Sequence, residues 1–184
     1  ISYYSPQVDP NKDSIKSFVE MISQSEKPIF YVGGGVINSG PKASKLLFEL
    51  IKKTGFPCTQ TLMGLGAFPT SDQQALGMLG MHGTYEANAA MHEADVILAV
   101  GARFDDRVTN ELEKFCPEAT IIHVDIDPTS VSKNIDAHIP IVGSCSTVLR
   151  EMLSLVKKST RDNNCDTSSW WEKINQWRDR YGIY

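Results

Sequence analysis

The sequence predicts a three-layer α/β/α domain built on a doubly wound parallel sheet of five or six strands. Short aliphatic runs alternate with amphipathic helical patterns along the chain, and this order favours right-handed crossovers between parallel strands. The apolar runs are continuous rather than alternating, which is typical of strands that helices cover on both faces. A length of 184 residues suits one domain with short extra arms. The predicted architecture is therefore Rossmann-like.

The predicted elements follow in regular order from the N-terminus. A helix over 13–25 precedes a strand that enters three glycines within 28–35. The next helix, over 41–55, has Pro41 in its first turn and Gly55 at its end, which are positions that these residues favour. Further strands are predicted at 57–61, 95–101, 120–127 and 139–143. A loop is predicted at 62–83, and further helices are predicted at 84–94, near 109–115, at 146–158 and at 169–181.

The chain divides into a linker over 1–12, a central cofactor-binding domain over 13–158, and a linker with a C-terminal helix over 159–184. In that helix, one stripe at helical spacing consists of Trp170, Ile174, Trp177 and Tyr181. We expect this stripe to dock on a neighbouring domain or subunit, and the alternative is that it caps the core of this domain. The opening ISYYSPQVDP has neither an initiator Met nor a signal pattern, so we expect a piece of a longer protein that continues into a further domain.

Composition narrows the classes of function. The formal net charge of −4 argues against nucleic acid or an anionic membrane as a partner, and no apolar run reaches the length that spans a bilayer. The four cysteines, Cys58, Cys116, Cys145 and Cys165, lie far apart, which favours free thiols in a reducing, cytoplasm-like compartment. No metal site is predicted, because neither the cysteines nor the histidines have ligand spacing.

Ligands of a doubly wound sheet bind at the carboxyl ends of its strands. The segments expected there are Gly33–Gly35, Thr61–Gly66, Gly101–Val108, Asp125–Asp127 and Gly143–Ser144. The three glycines allow close approach of a ligand or of another backbone, although they lack the G-x-G-x-x-G fingerprint of dinucleotide-binding proteins. Asp125 and Asp127 can accept hydrogen bonds from ribose hydroxyls. Alternatively, Asp127 caps the turn that begins at Pro128.

Four charged residues, Arg103, Asp105, Asp106 and Arg107, follow the strand over 95–101. Arg103 could clamp a phosphate or lie over a flat ring, whereas the alternatives are a solvated turn or a structural knot of ion pairs. His82 lies in a glycine-rich segment and is more often an ordinary loop histidine than a catalyst. The chain has no phosphate-loop, nucleophile-elbow or zinc-protease motif. The residues alone therefore indicate a nucleotide-cofactor binding domain without an evident catalytic centre.

Five segments carry a resemblance to a known family. They read YVGGGV, TLMGLGAFP, LGMLGMHGTYEAN, ADVILAVGARFDDRVT and IIHVDIDP, and in this order they resemble the central domain of the acetohydroxyacid (acetolactate) synthase large catalytic subunit. The resemblance covers residues 15–157 and implies a DHS-like NAD/FAD-binding fold. Its most discriminating piece, GARFDDRVT, is similar to the FAD-associated signature of the biosynthetic enzymes. The resemblance thus favours a cofactor wall over a solvated turn.

The resemblance implies an FAD site along the carboxyl ends of the strands. The matching residues are Gly33, Gly34, Gly35, Thr61, Leu62, Leu79, Gly80, Met81, His82, Gly101, Ala102, Arg103, Asp105, Val108, Asp125, Ile126 and Ser144. The positions that would face the channel to the thiamine site are Met81, Asp106 and Arg107. No catalytic residue and no metal ligand is implied. At Ser144 the family usually has Asp, so a neutral acceptor replaces a charged one.

The resemblance also implies a larger enzyme that condenses pyruvate with a second 2-keto acid in branched-chain amino-acid biosynthesis. Its flanking domains would bind thiamine diphosphate and magnesium, while FAD would be chiefly structural. The implied enzyme is cytoplasmic or organellar, a homodimer or homotetramer, and partnered by a regulatory small subunit. This chain alone is then expected to be inactive. The alternatives are the central domain of another thiamine enzyme, such as glyoxylate carboligase, pyruvate oxidase or a decarboxylase, and a free-standing NAD-binding module.

Overall fold

The computed structural model describes residues 10–104, 116–133, 135–159 and 166–182. Its strands are Pro28–Val32 (β1), Cys58–Gln60 (β2), Ala75–Met78 (β3), Val96–Val100 (β4), Thr120–Asp125 (β5) and Ile139–Val142 (β6). These six strands pair in parallel in one sheet of order β3-β2-β1-β4-β5-β6. The doubly wound α/β fold that the sequence predicts is confirmed. Strand order reverses between β1 and β4, which is where such sheets open a ligand crevice.

Helices cover both faces of this sheet. They are Lys12–Gln24 (α1), Gly34–Asn38 (α2), Pro41–Thr54 (α3), Tyr85–Glu93 (α4), Cys145–Ser159 (α5) and Ser168–Tyr181 (α6). One core cluster joins α1, α3 and α5 to one face of the strands, and a second joins α4 and α6 to the opposite face. Across the residues that the structure describes, none of the helices is both long and apolar enough to cross a membrane.

The helix ends follow from local sequence. The side-chain oxygen of Asn11 accepts a hydrogen bond from Asp13 N at 2.9 Å and caps α1. Pro41 begins α3, and Gly55 ends it with φ of 74°, donating its amide to Ile51 O at 2.9 Å. Glycine at that position avoids the steric penalty of the left-handed conformation. Both boundaries of α3 therefore match the sequence prediction.

Two short elements differ from the sequence prediction. β3 lies inside the segment 62–83 that we predict as a loop, and α2 occupies glycines that we predict as the end of a strand. β3 has four residues, and Gly77 within it has φ of 87°. Its pairing with β2 also shifts register between Cys58 and Thr59. Such a short, irregular strand carries no hydrophobic period that a sequence reading could detect. The predicted helix near 109–115 lies outside the described residues.

The C-terminal helix α6 packs on its own domain, so the expectation that its stripe docks elsewhere is wrong. Trp170 and Ile174 are buried in the second core cluster. The indole nitrogen of Trp170 donates to Pro28 O at 3.1 Å, and that of Trp171 donates to Gly55 O at 2.9 Å. A buried indole needs both apolar contact and an acceptor, and the sheet face beside α4 supplies both. The core-capping alternative is confirmed.

Candidate functional site

The predicted site residues that the structure describes lie along the carboxyl edge of the sheet. From β3 to β6, this edge carries Leu79–His82, Thr61 and Leu62, Gly33–Gly35, Gly101–Arg103, Asp125 and Ile126, and Ser144. Neighbouring strands lie about 4.8 Å apart, so the row of loops is about 24 Å long. We call this row the ligand edge. The predicted residues Asp105, Asp106, Arg107 and Val108 lie outside the described residues.

Several backbone amides of the ligand edge are already bonded within the sheet. The amides of Thr61, Gly33, Gly101 and Gly143 donate to the carbonyl oxygens of Val32, Val100, Val124 and Asp125, at 2.9, 3.0, 2.8 and 2.9 Å respectively. These N–H groups are not available to a phosphate, in contrast to the amide nests that hold anions in many loops. Side chains are therefore the polar groups that remain at these four positions.

Three glycines lie at the topological switch point, where strand order reverses between β1 and β4. They allow the turns that follow these two strands to approach each other closely. The Gly35 amide donates to the Gly101 carbonyl oxygen at 2.9 Å. A Cβ added at Gly33 would lie 2.2 Å from Gly101 O, and one added at Gly35 would lie 2.7 Å from Gly101 Cα. Gly101 itself has φ of 57°, a conformation that favours glycine. These residues are glycine because the turns after β1 and β4 touch backbone to backbone.

Among the described residues of the turn after β4, Arg103 carries a charged side chain. It is exposed, although its neighbours Ala102 and Phe104 are buried. Together with Asp127 and Lys133, it lines a cleft of about 160 Å³. A guanidinium in such a cleft can bind phosphate oxygens through two parallel hydrogen bonds or stack on a planar ring.

His123 contacts the turn after β4, and the sequence analysis did not identify it. It lies in β5 with 1% of its surface exposed, and its Nε2 lies 2.8 Å from Ala102 O. Burial lowers the pKa of its imidazole, against the opposing effects of the Ala102 bond and the Asp125 charge. A polar residue in the otherwise aliphatic run TIIHVDID is the signal that could have identified it.

The two aspartates after β5 have different roles. The Asp127 carboxylate accepts hydrogen bonds from Thr129 Oγ1 at 2.8 Å and from Thr129 N at 2.9 Å. These bonds hold the pKa of Asp127 below its usual range, and the capping alternative for Asp127 is confirmed. Asp125 is half-buried at the strand end and accepts from Asp127 N at 2.9 Å through Oδ1.

The loop after β3 is held by Asn88, which the sequence analysis also missed. Asn88 Oδ1 accepts from Gly80 N at 3.1 Å, and its Nδ2 donates to Gly80 O at 3.0 Å. Thr84 donates its hydroxyl to Leu76 O at 2.5 Å and caps α4. The loop residues between these anchors, Met81 and His82, are exposed.

The ligand edge exposes large apolar side chains. Within the described ranges, the three most exposed are Met81, Met63 and Leu62, at 80%, 75% and 69%. Met63 and Leu62 lie in the turn after β2, and Met81 lies in the loop after β3. Large apolar side chains exposed on neighbouring loops are typical of a surface that a ligand or another domain covers.

Ser144 caps α5. Its Oγ lies 3.0 Å from Thr147 Oγ1 and accepts a hydrogen bond from Thr147 N at 3.3 Å. A serine side chain that accepts from the third residue of a helix is a typical N-cap. This local role gives a reason for a hydroxyl at Ser144 that is independent of any cofactor.

Some chemistry has no candidate within the chain segments that the structure describes. No group of three or more His, Cys, Asp or Glu side chains is arranged there to hold a metal ion. Cys58, Cys116 and Cys145 are buried free thiols. In the described part of the ligand edge, the groups available to a ligand include the Arg103 guanidinium, the Asp125 carboxylate and exposed apolar side chains.

Comparison with known proteins identifies the family to which the chain belongs. The family model described as "Thiamine pyrophosphate enzyme, central domain" matches residues 15–152. The chain is 51% identical to the acetolactate synthase large subunit of Haemophilus influenzae over 95% of its own length and 30% of that protein. It is 51% identical to the acetolactate synthase isozyme 3 large subunit of Escherichia coli, covering 96% of this chain and 31% of that one. It is 43% identical to an acetolactate synthase of Mycobacterium avium, covering 98% of this chain and 29% of that protein. The chain thus spans about a third of these relatives' length. Because the family model matches most of its residues, the chain belongs to the family of thiamine pyrophosphate enzyme central domains.

Proposed function

We propose that this chain is the central domain of an acetolactate synthase large subunit, where it binds FAD and lines the channel to the thiamine site. Identities of 51% with two acetolactate synthase large subunits support this assignment. The structural observation that carries the cofactor proposal is the ligand edge itself, which combines an exposed arginine, a strand-end aspartate and the three most exposed apolar side chains of the described residues.

The residues of the ligand edge fit the chemistry of FAD. The Arg103 guanidinium suits the diphosphate, and the half-buried Asp125 carboxylate suits a ribose hydroxyl. Leu62 and Met81 supply flexible apolar surface against which a planar ring can pack. Because the amides of Gly33, Thr61 and Gly101 are bonded within the sheet, these side chains supply polar and apolar contacts that those amides cannot. The glycines of the turns after β1 and β4 also pack closely against one another.

The contribution of this domain to the reaction is binding and enclosure. Thiamine diphosphate, with magnesium, supplies the carbanion chemistry of pyruvate decarboxylation and carboligation. On our proposal those groups belong to flanking domains of the same polypeptide, and Met81, Asp106 and Arg107 of this chain line the approach. Exclusion of water from that approach protects a reactive intermediate from side reactions. We further propose a cytoplasmic homodimer or homotetramer with a regulatory small subunit.

The proposal is tested on the complete enzyme that carries this domain. We expect formation of acetolactate from pyruvate that requires thiamine diphosphate and magnesium, and retention of FAD through gel filtration. A protein that binds NAD but no flavin would instead support a free-standing dinucleotide module. A protein that retains FAD but condenses glyoxylate in preference to pyruvate would support a glyoxylate carboligase.

A further inference from the structure

We propose that His123 is a positioning residue of the ligand edge, whose imidazole holds the Ala102 carbonyl and thereby the turn from which Arg103 extends. The functional consequence rests on the proposed FAD site, whereas the positioning itself rests on contacts within the chain. His123 lies in β5 and contacts the turn that follows β4, so it acts on the ligand edge from the neighbouring strand.

The contact between His123 and Ala102 determines which nitrogen of the imidazole carries the proton. Nε2 of His123 lies 2.8 Å from Ala102 O. A carbonyl oxygen only accepts hydrogen bonds, so Nε2 carries the proton and donates it, which fixes the tautomer. Ala102 directly precedes Arg103, and the bond therefore acts on the peptide unit that leads into the arginine. Since His123 has 1% of its surface exposed, water does not compete well for this bond.

Aromatic contacts hold the same turn from its other end. The ring of Phe104 meets His123 edge-on, with centroids 5.4 Å apart, and also contacts Tyr31 at 5.4 Å. In the sheet, Tyr31 pairs with Ala99 and Ala99 pairs with His123, so the three side chains form one row across a single face. The small Ala99 between the two rings leaves room for Phe104. Residues on both sides of Arg103 are thus anchored to this row.

Two successive carbonyl groups of the turn are held from opposite sides. Gly101 O accepts from Gly35 N at 2.9 Å, and Ala102 O accepts from His123 Nε2 at 2.8 Å. A turn fixed at consecutive peptide units has little freedom to rotate. Arg103 therefore extends from a segment held at two consecutive peptide units, which lowers the entropy that binding must remove from its backbone.

The second ring nitrogen of His123 gives a further reason to assign the bond to Ala102 as the role of this histidine. His123 Nδ1 is buried and has no hydrogen-bond partner among the residues described. A buried polar atom without a partner destabilises the folded state, so an apolar side chain would suit this place in the core better. The bond to Ala102 is the contact in the described structure that a histidine makes there and an apolar side chain cannot.

The experiment compares variants of the complete enzyme by fluorescence titration with FAD. His123→Leu removes the donor and should weaken FAD binding about tenfold. His123→Gln places an amide N–H within reach of the same carbonyl and should bind FAD within about threefold of the wild type. The matched control is Ile121→Val, a change on the same strand and face, which should leave FAD affinity unchanged.

A double-mutant cycle separates positioning from general loss of stability. If His123 acts through Arg103, then Arg103→Ala combined with His123→Leu weakens FAD binding no more than Arg103→Ala alone. Additive losses, or equal affinities for His123→Leu and Ile121→Val, would overturn the inference. If His123→Leu fails to fold, the comparison of His123→Gln with the shorter His123→Asn decides instead: the inference requires weaker FAD binding by the asparagine variant, and equal binding overturns it.

A readout without flavin separates this inference from the proposed function. Wild-type enzyme that binds no FAD would contradict the proposed function alone. In that case, amide hydrogen exchange at Arg103 and Phe104 tests the positioning: faster exchange in His123→Leu than in Ile121→Val supports it, and equal exchange in the two variants overturns it.

Discussion

The amide nitrogen of Gly35 lies 2.9 Å from the carbonyl oxygen of Gly101, and this bond joins the turns on either side of the topological switch point. The two glycines approach so closely that a Cβ on Gly101 would lie 2.8 Å from Gly35 Cα. A doubly wound sheet opens its ligand crevice at this point. In this chain the turns after β1 and β4 meet backbone to backbone at that point.

The first prediction concerns that contact. Gly101→Ala should lower the free energy of unfolding by at least about 2 kcal/mol, because it adds a backbone clash to the strain of a left-handed residue. Gly55→Ala is the matched control, since Gly55 has φ of 74° with nothing within 4 Å of an added Cβ. Urea unfolding measures both variants. Equal losses would contradict the close approach at Gly101.

The second prediction concerns Ser144. Because Asp caps helices as well as Ser, Ser144→Asp should change the free energy of unfolding by less than about 0.5 kcal/mol and leave FAD binding equal or tighter. Ser144→Ala should destabilise by about 1 kcal/mol through loss of the cap. Thermal unfolding and FAD titration measure the two effects. A clear loss of FAD affinity in Ser144→Asp would mean that this end of the ligand edge is arranged differently.

The third prediction uses the pKa of His123. Burial lowers this pKa from its usual value of 6.5, so the unfolded chain binds the proton more readily than the folded chain. As pH falls below 6.5, stability contributed by the neutral imidazole is lost until the folded-state pKa is passed. His123→Gln should therefore show a shallower loss of unfolding free energy between neutral and mildly acidic pH. Identical pH profiles for the two proteins would show that His123 does not titrate as we expect.

The fourth prediction concerns activity. The 184-residue chain, supplied with thiamine diphosphate, magnesium and FAD, should form no acetolactate from pyruvate. The proposed function places the magnesium site in flanking domains, and the described ranges of this chain contain no metal-binding cluster. The complete enzyme under the same conditions is the positive control. Turnover by the chain that Asp106→Asn abolishes would show a catalytic centre within it.

The sequence predicts the layers and the position of the ligand edge, because continuous apolar strands carry a strong local signal and the carboxyl ends of parallel strands lie at one edge of the sheet. It does not predict β3, since four residues with Gly77 at φ of 87° have no detectable period. The sequence also does not predict the surface on which α6 docks. An aromatic stripe shows that a face is buried, but it does not specify the surface that buries it.

The role of His123 shows a different limit. Its contact with Ala102 depends on the register between β4 and β5, which pairs Ala99 with His123. The two contacting residues are 21 positions apart, and no spacing rule connects them. Residues that position a site from a neighbouring strand become visible when the pairing of the strands is known.

On our proposal, this domain binds FAD at the ligand edge through side chains that include Arg103. The most direct measurement is the amount of FAD that the complete enzyme retains after gel filtration, compared between wild type and Arg103→Ala. Lys158→Ala, an exposed change at the end of α5, is the control for loss of a positive charge. The account predicts about one FAD per chain in the wild type and control, with binding at least tenfold weaker in Arg103→Ala, about 1.4 kcal/mol. Flavin content in Arg103→Ala equal to that of the wild type would contradict it.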